Sequence, residues 1–178
     1  MAKSKVRLDK VKAVKSGNIF SVVAAEELQN GFVGVLGDLE TGEREIYELV
    51  KPATATLDET PVVLVASPEV NYNESGATNR SLGAFSIAAN ETARAYELQK
   101  YDIFSVSVEG VTALATTPVV GNYVTIANGT YKLAESTTAT TNAFTAEIIG
   151  LEEIGVPVIE AGQAGYGKFV VCQVVKNG

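Results

Sequence analysis

The chain has 178 residues, 46% of them hydrophobic and 20% charged, with a formal net charge of −7. A folded chain of this length buries about two-thirds of its unfolded surface without help from a metal or a disulfide, and its single cysteine, Cys172, excludes an internal disulfide. Histidine and tryptophan are absent. That removes the side chain most used for acid–base work near neutral pH and the commonest zinc ligand, and it excludes Ser–His and Cys–His nucleophilic sites within one chain.

The N-terminus is basic. Residues 1–15 carry Lys3, Lys5, Arg7, Lys10, Lys12 and Lys15 against Asp9 alone, six against one or net +5. The remainder holds eight basic and 20 acidic residues, net −12. The expectation is a basic N-terminal arm over 1–16 on an acidic, β-rich body over 17–178. If that body holds two small β subdomains, it divides near 110–118. No apolar stretch follows the first residues, so neither a secretory leader nor a membrane span is expected. With one cysteine, a reducing cytosol is the expected folding compartment. The sequons at Asn73, Asn90 and Asn128 are read as chance products of Asn- and Thr-rich turns.

Strand patterns dominate the rest of the chain: Ile19–Ala24, Phe32–Leu36, Glu45–Val50, Val62–Ala66, Ala93–Leu98, Ile103–Val108, Val119–Ile126, Tyr131–Leu133, Phe144–Leu151 and Lys168–Val175. They are short and rich in Val, Ile, Thr and aromatics, and several alternate. In Ile103–Val108, Phe104, Val106 and Val108 share one face, and Ile103, Ser105 and Ser107 the other. Asn128-Gly129 is a two-residue hairpin signal. Ala24–Gly31 is compatible with one or two helical turns ending at Gly31, and 88–93 with a turn capped by Asn90. Residues 67–83, 134–142 and 162–167 read as loops. The predicted fold is mainly β, a β-barrel or β-sandwich of short antiparallel strands. Its expected core is Phe20, Phe32, Phe104, Val106, Phe144, Ile148, Phe169 and Val171.

Chemistry-bearing patterns are missing. Gly162, Gly165 and Gly167 lack the helix that a dinucleotide loop requires. Asp38-Leu39-Glu40 stops short of a calcium loop. The carboxylate pairs Glu26-Glu27 and Glu152-Glu153 point to opposite faces of a strand, and Glu43 and Glu45 flank Arg44. None of these spacings singles out an acid and a base. No cofactor, metal or catalytic residue is expected, and the chain is expected not to be an enzyme.

Three strands begin alike, Asn18-Ile19-Phe20-Ser21-Val22, Asp102-Ile103-Phe104-Ser105-Val106 and Asn122-Tyr123-Val124-Thr125-Ile126, with no fixed period between them. The stretch Gly83-Ala84-Phe85-Ser86-Ile87, then Thr92-Ala93-Arg94-Ala95-Tyr96-Glu97-Leu98, then Tyr101-Asp102-Ile103-Phe104-Ser105-Val106 resembles auxiliary head proteins of tailed bacteriophages, the cement or decoration proteins of the capsid exterior. The resemblance implies a structural virion protein. Its partners would be the major capsid protein and sister subunits, a trimer being favoured, with no direct nucleic-acid or membrane contact. It would be made in the host bacterial cytoplasm and placed on the capsid exterior. Lys3, Lys5, Arg7, Lys10, Lys12 and Lys15 are the expected partner-binding residues. A tail, neck or baseplate component is the alternative within the structural class. The alternative outside it is a carbohydrate-binding module using Tyr72, Tyr123, Tyr131 and Tyr166.

Overall fold

A computed structural model describes residues 3–13, 17–54, 57–58, 62–70, 85–154 and 167–178. The fold is mainly β and has two parts: a closed five-stranded barrel and a seven-stranded sheet packed against its side. The barrel uses β2 (Ile19–Val23), β3 (Val33–Leu39), β4 (Ile46–Val50), β5 (Val62–Val65) and β6 (Ala93–Glu97). Around the barrel the order is β2-β4-β3-β5-β6, closed by β6 against β2. The pairs are antiparallel except β2 and β4, which run parallel.

The sheet gathers the N-terminal strand β1 (Val6–Lys10) and the C-terminal half of the chain: β7 (Ile103–Ser107), β8 (Val111–Thr112), β9 (Tyr123–Thr125), β10 (Leu133–Ser136), β11 (Phe144–Ile154) and β12 (Gly167–Asn177). Its order is β1-β7-β12-β11-β9-β10-β8. A 3-10 turn at Val108–Gly110 links β7 to β8, and β8 pairs with β10 in parallel.

Strand alternation builds two cores from one chain. On β5, Val63 and Val65 point into the barrel, where Val22, Leu28, Phe32, Leu49 and Ala95 meet them. Val62 and Leu64 point the other way, into the layer between barrel and sheet. There they join Val33 and Val35 of β3 and Phe104, Val106, Phe144 and Ile148 of the sheet. A strand buried on both faces needs apolar residues at every position, and Val-Val-Leu-Val supplies them. Of the expected core, Phe32, Phe104, Val106, Phe144, Ile148, Phe169 and Val171 are buried, and Phe20 is half-buried at the barrel core.

The chain changes sheet between Glu97 and Ile103, ahead of the 110–118 boundary expected from sequence, and the two parts share a continuous apolar layer. Asp102 sits at this crossing, fully buried. One of its carboxylate oxygens accepts from the Lys12 amide at 3.1 Å and the other from the Gln99 amide at 2.9 Å.

Four local expectations are corrected. Ala24–Gly31 is not helical: Leu28 makes an isolated bridge with Ile87, because its side chain is needed inside the barrel. Residues 134–136 belong to β10, since Leu133 and Glu135 point inward in alternation. The hairpin at Asn128-Gly129 is wider than two residues: β10 starts at Leu133, and Tyr131 turns into the barrel core, its hydroxyl donating to the Leu49 carbonyl at 2.8 Å. The strands are not all antiparallel, as the β2–β4 and β8–β10 pairs show. Most of the loops expected at 67–83 and 162–167 lies outside the described residues.

Gly31, Gly110 and Ser4 form a tight joint between the N-terminal segment, the barrel and the sheet. Gly31 has φ of +90°, and a Cβ there would lie 2.6 Å from a Val106 methyl and 3.0 Å from Ser4 Oγ. Left-handed backbone and a filled site both oppose a side chain. Gly31→Ala is expected to cost about 2–4 kcal/mol in urea unfolding. A loss below about 1 kcal/mol would show that the joint yields easily.

Candidate interaction surface

The basic segment does not stand off the body. Val6–Lys10 pairs antiparallel with β7, in register Val6↔Val106, Arg7↔Ser105 and Leu8↔Phe104, and forms one edge of the seven-stranded sheet. Val6 and Leu8 alternate onto the core and fix that register. An irregularity between Leu8 and Lys10, together with the flanking charges, marks the edge. Charges and bulges of this kind oppose unwanted strand pairing.

The six basic residues have different fates. Lys3 pairs with Glu27. Lys5 is buried, and its Nζ donates to the Lys3 carbonyl at 3.3 Å. Arg7 pairs with Asp9 and with Glu152, the latter at 2.8 Å, and also donates to Ser105 Oγ at 3.3 Å. The Asp9 and Glu152 hydrogen bonds raise the Arg7 pKa, and the Lys3 hydrogen bond lowers that of Glu27. Lys12 is exposed, with Nζ on the Lys100 carbonyl at 3.2 Å. Lys10 is exposed and makes no ion pair among the described residues. Lys15 lies outside the described residues.

The adjacent carboxylates are divided among separate cations: Glu26 to Lys51, Glu27 to Lys3, Glu152 to Arg7 and Glu153 to Lys168. Lys51 Nζ also lies 5.3 Å from the Tyr131 ring centroid, and that ring stacks on Phe32. Burial, with the nearby Glu26 charge, raises the Tyr131 pKa. Tyr131 is therefore a core residue rather than an exposed platform, and Tyr123 is half-buried. Tyr72, Arg80 and Tyr166 lie outside the described residues. Cys172 is buried, and desolvation pushes its thiol up, away from the reactive thiolate. Among the described residues, no group of three His, Cys, Asp or Glu side chains could hold a metal, and no helix is long and apolar enough to cross a membrane.

Sequence reading missed the most organised surface feature. Residues 113–121, Ala-Leu-Ala-Thr-Thr-Pro-Val-Val-Gly, carry no charge. They loop over the β8–β10 edge, and the Glu135 carboxylate is buried beneath them. It accepts from the Leu114 amide at 2.8 Å, the Val119 amide at 2.9 Å and Asn122 Nδ2 at 2.6 Å. Burial alone would raise the Glu135 pKa, but these three bonds outweigh it and leave the value lowered. The loop end is tied to β11 by Gly121 N to Ile148 O at 2.9 Å and Ile148 N to Asn122 O at 2.8 Å. Leu114, Val119 and Val120 are left 62%, 53% and 52% exposed, on a loop held at both ends. The hydrogen bonds span 16 and 21 residues of sequence, so only the run of uncharged residues could have flagged the feature. No protein-family model, no curated protein and no solved structure matches the chain.

Proposed function

We propose that the chain is a non-enzymatic structural protein that decorates the exterior of a tailed-phage head, bound to the major capsid protein and to sister copies, with a trimer as the favoured unit. The observation that carries this reading is the 113–121 loop, an uncharged apolar surface held in place by a buried carboxylate in a chain of net −7. A contact surface that is already ordered loses little entropy on docking, and modest contacts repeated over a symmetric shell add through avidity. The basic edge at Lys10 and Lys12 supplies a second contact of opposite sign to the body. Of the residues of the decoration-protein resemblance, Thr92–Leu98 and Tyr101–Val106 fall on or beside β6 and β7, Ile87 bridges Leu28 at the barrel, and Gly83 and Ala84 lie outside the described residues.

Co-sedimentation with shells lacking the protein tests the reading. Val119→Asp and Val120→Asp place charge on exposed positions and are expected to weaken shell binding at least about tenfold while leaving the fold intact. Lys10→Glu is expected to weaken binding at low salt and to lose most of its effect at high salt. Lys10 is the clean choice, because changes at Lys3, Lys5 or Arg7 also cut contacts within the chain. Unchanged sedimentation of all three variants would contradict the proposal.

A further inference from the structure

We infer that Tyr101, with the lysines around it, is the anchor by which one copy of the chain grips the acidic tip of the β3–β4 hairpin of a second copy. This deepens the proposed function and rests on its sister-copy part.

The starting point is a backbone conformation. Gln99–Asp102 form a tight turn, closed by the Asp102 amide donating to the Gln99 carbonyl at 2.9 Å. Its third residue, Tyr101, has φ of +74°. Such a position favours Gly or Asn, because a bulky side chain on left-handed backbone is strained. The strain gains no burial: Tyr101 is 59% exposed, with the Nζ of exposed Lys100 over its ring at 5.3 Å. Nor does the turn give way. The Gln99 amide donates to the Asp102 carboxylate, the Tyr101 amide to the Val174 carbonyl and the Val174 amide to the Asp102 carbonyl, each at 2.9 Å. Strain kept up with no return inside the chain points to a use outside it. An exposed tyrosine on a fixed base loses little freedom on docking, and tyrosines are frequent anchors of interfaces.

Charge selects the partner. Lys10 pairs with Ile103 across β1 and β7, and Lys12 Nζ donates to the Lys100 carbonyl at 3.2 Å, so three lysines flank Tyr101. The neighbouring Asp102 carboxylate is fully buried. Lys10 and Lys100 make no ion pair among the described residues. The β3–β4 tip, residues 38–45, carries Asp38, Glu40, Glu43 and Glu45 against Arg44, four against one or net −3. These four acids make no ion pair among the described residues either. Leu39 on the same tip is 45% exposed. The tip therefore offers carboxylates to the lysines and an apolar side chain to the tyrosine ring. The two patches differ and every copy has both, so the contact is head-to-tail and closes into a ring when its rotation allows. A trimer is such a ring. Nucleic acid fits less well, because three lysines neutralise few phosphates and a chain of net −7 repels a polyanion.

The test is sedimentation equilibrium of the full chain without shells, from about 1 µM to about 200 µM, at about 50 mM and about 500 mM salt. A reversible oligomer is expected at low salt, with association at least about tenfold weaker at high salt. Tyr101→Gly is expected to weaken association at least about tenfold. The thermal unfolding midpoint of that variant, read on the dilute monomer, should stay level or rise, since glycine suits the turn. Lys100→Glu and Glu43→Lys are each expected to weaken association, and one chain carrying both to regain it, which sets the two patches against each other. A monomer at every concentration, or an oligomer indifferent to Tyr101→Gly, would overturn the contact. So would a paired charge reversal that regains nothing, or oligo-dT binding that Tyr101→Gly abolishes. Shell binding by a chain that stays monomeric would sink this contact and leave the particle reading standing. A Tyr101-dependent oligomer that ignores shells would uphold the contact and remove the particle reading.

Discussion

Asp102→Ala is expected to lower the unfolding free energy by about 3–5 kcal/mol in urea. The buried carboxylate is where three parts of the chain meet: the Lys12 amide beyond β1, the Gln99 amide of the turn leaving the barrel, and β7 opening the sheet. Hydrogen bonds to a charged group contribute about 1.5–3 kcal/mol each, and removing the carboxylate strands two amide donors. Asp102→Asn keeps one accepting oxygen and turns an N–H₂ toward the other amide, so about half the loss or more is expected. The Ala variant should also loosen β1, raising hydrogen exchange at Val6–Lys10 ahead of the barrel strands. A cost below about 1 kcal/mol, or uniform exchange, would show that the crossing is held by apolar packing alone.

Glu135→Ala is expected to cost about 2–4 kcal/mol, by freeing the Leu114 and Val119 amides and the Asn122 side chain together. The effect has a pH signature. The folded-state pKa of Glu135 is lowered, so its contribution is present above the unfolded value of about 4.3 and is lost as pH falls through the lower folded value. Wild type and Glu135→Gln should therefore differ in stability at neutral pH and converge on acidification below about pH 4. A gap that stays constant into acid would contradict the assignment. Amide exchange at Leu114 and Val119 reports the loop directly and should quicken in both variants.

Much of the fold could be read in the sequence where strands follow the simple pattern. The Val-Val-Leu-Val run of β5, the alternation of β7 and the long apolar stretches of β11 and β12 announce themselves by β-branched content and period. β1 was obscured by its charges: Val6 and Leu8 alternate with Arg7 and Asp9 as an edge strand should, but five lysines and an arginine nearby made the segment read as an arm. β8, two residues long, pairs in parallel with a strand more than 20 residues on, and no local pattern encodes that. The supposed helix before Gly31 failed because the barrel interior claims Leu28, a tertiary demand that overrides local preference. At the candidate surfaces the limit was long-range bonding. Lys3 and Arg7 look like free charges in sequence and are spent on Glu27 and Glu152 in the fold. Glu135 looks like one more surface acid and supports the exposed apolar 113–121 loop. The echo of Asn18, Asp102 and Asn122 marked real strand starts, at β2, β7 and β9, in two different sheets.

The proposed decoration role on a phage head is tested most directly by quantitative mass spectrometry of gradient-purified particles from the source of this sequence. The role predicts hundreds of copies per particle, in fixed proportion to the shell protein. Six or twelve copies would place the chain in the neck or tail instead, and absence from the particle would contradict the structural-virion reading outright.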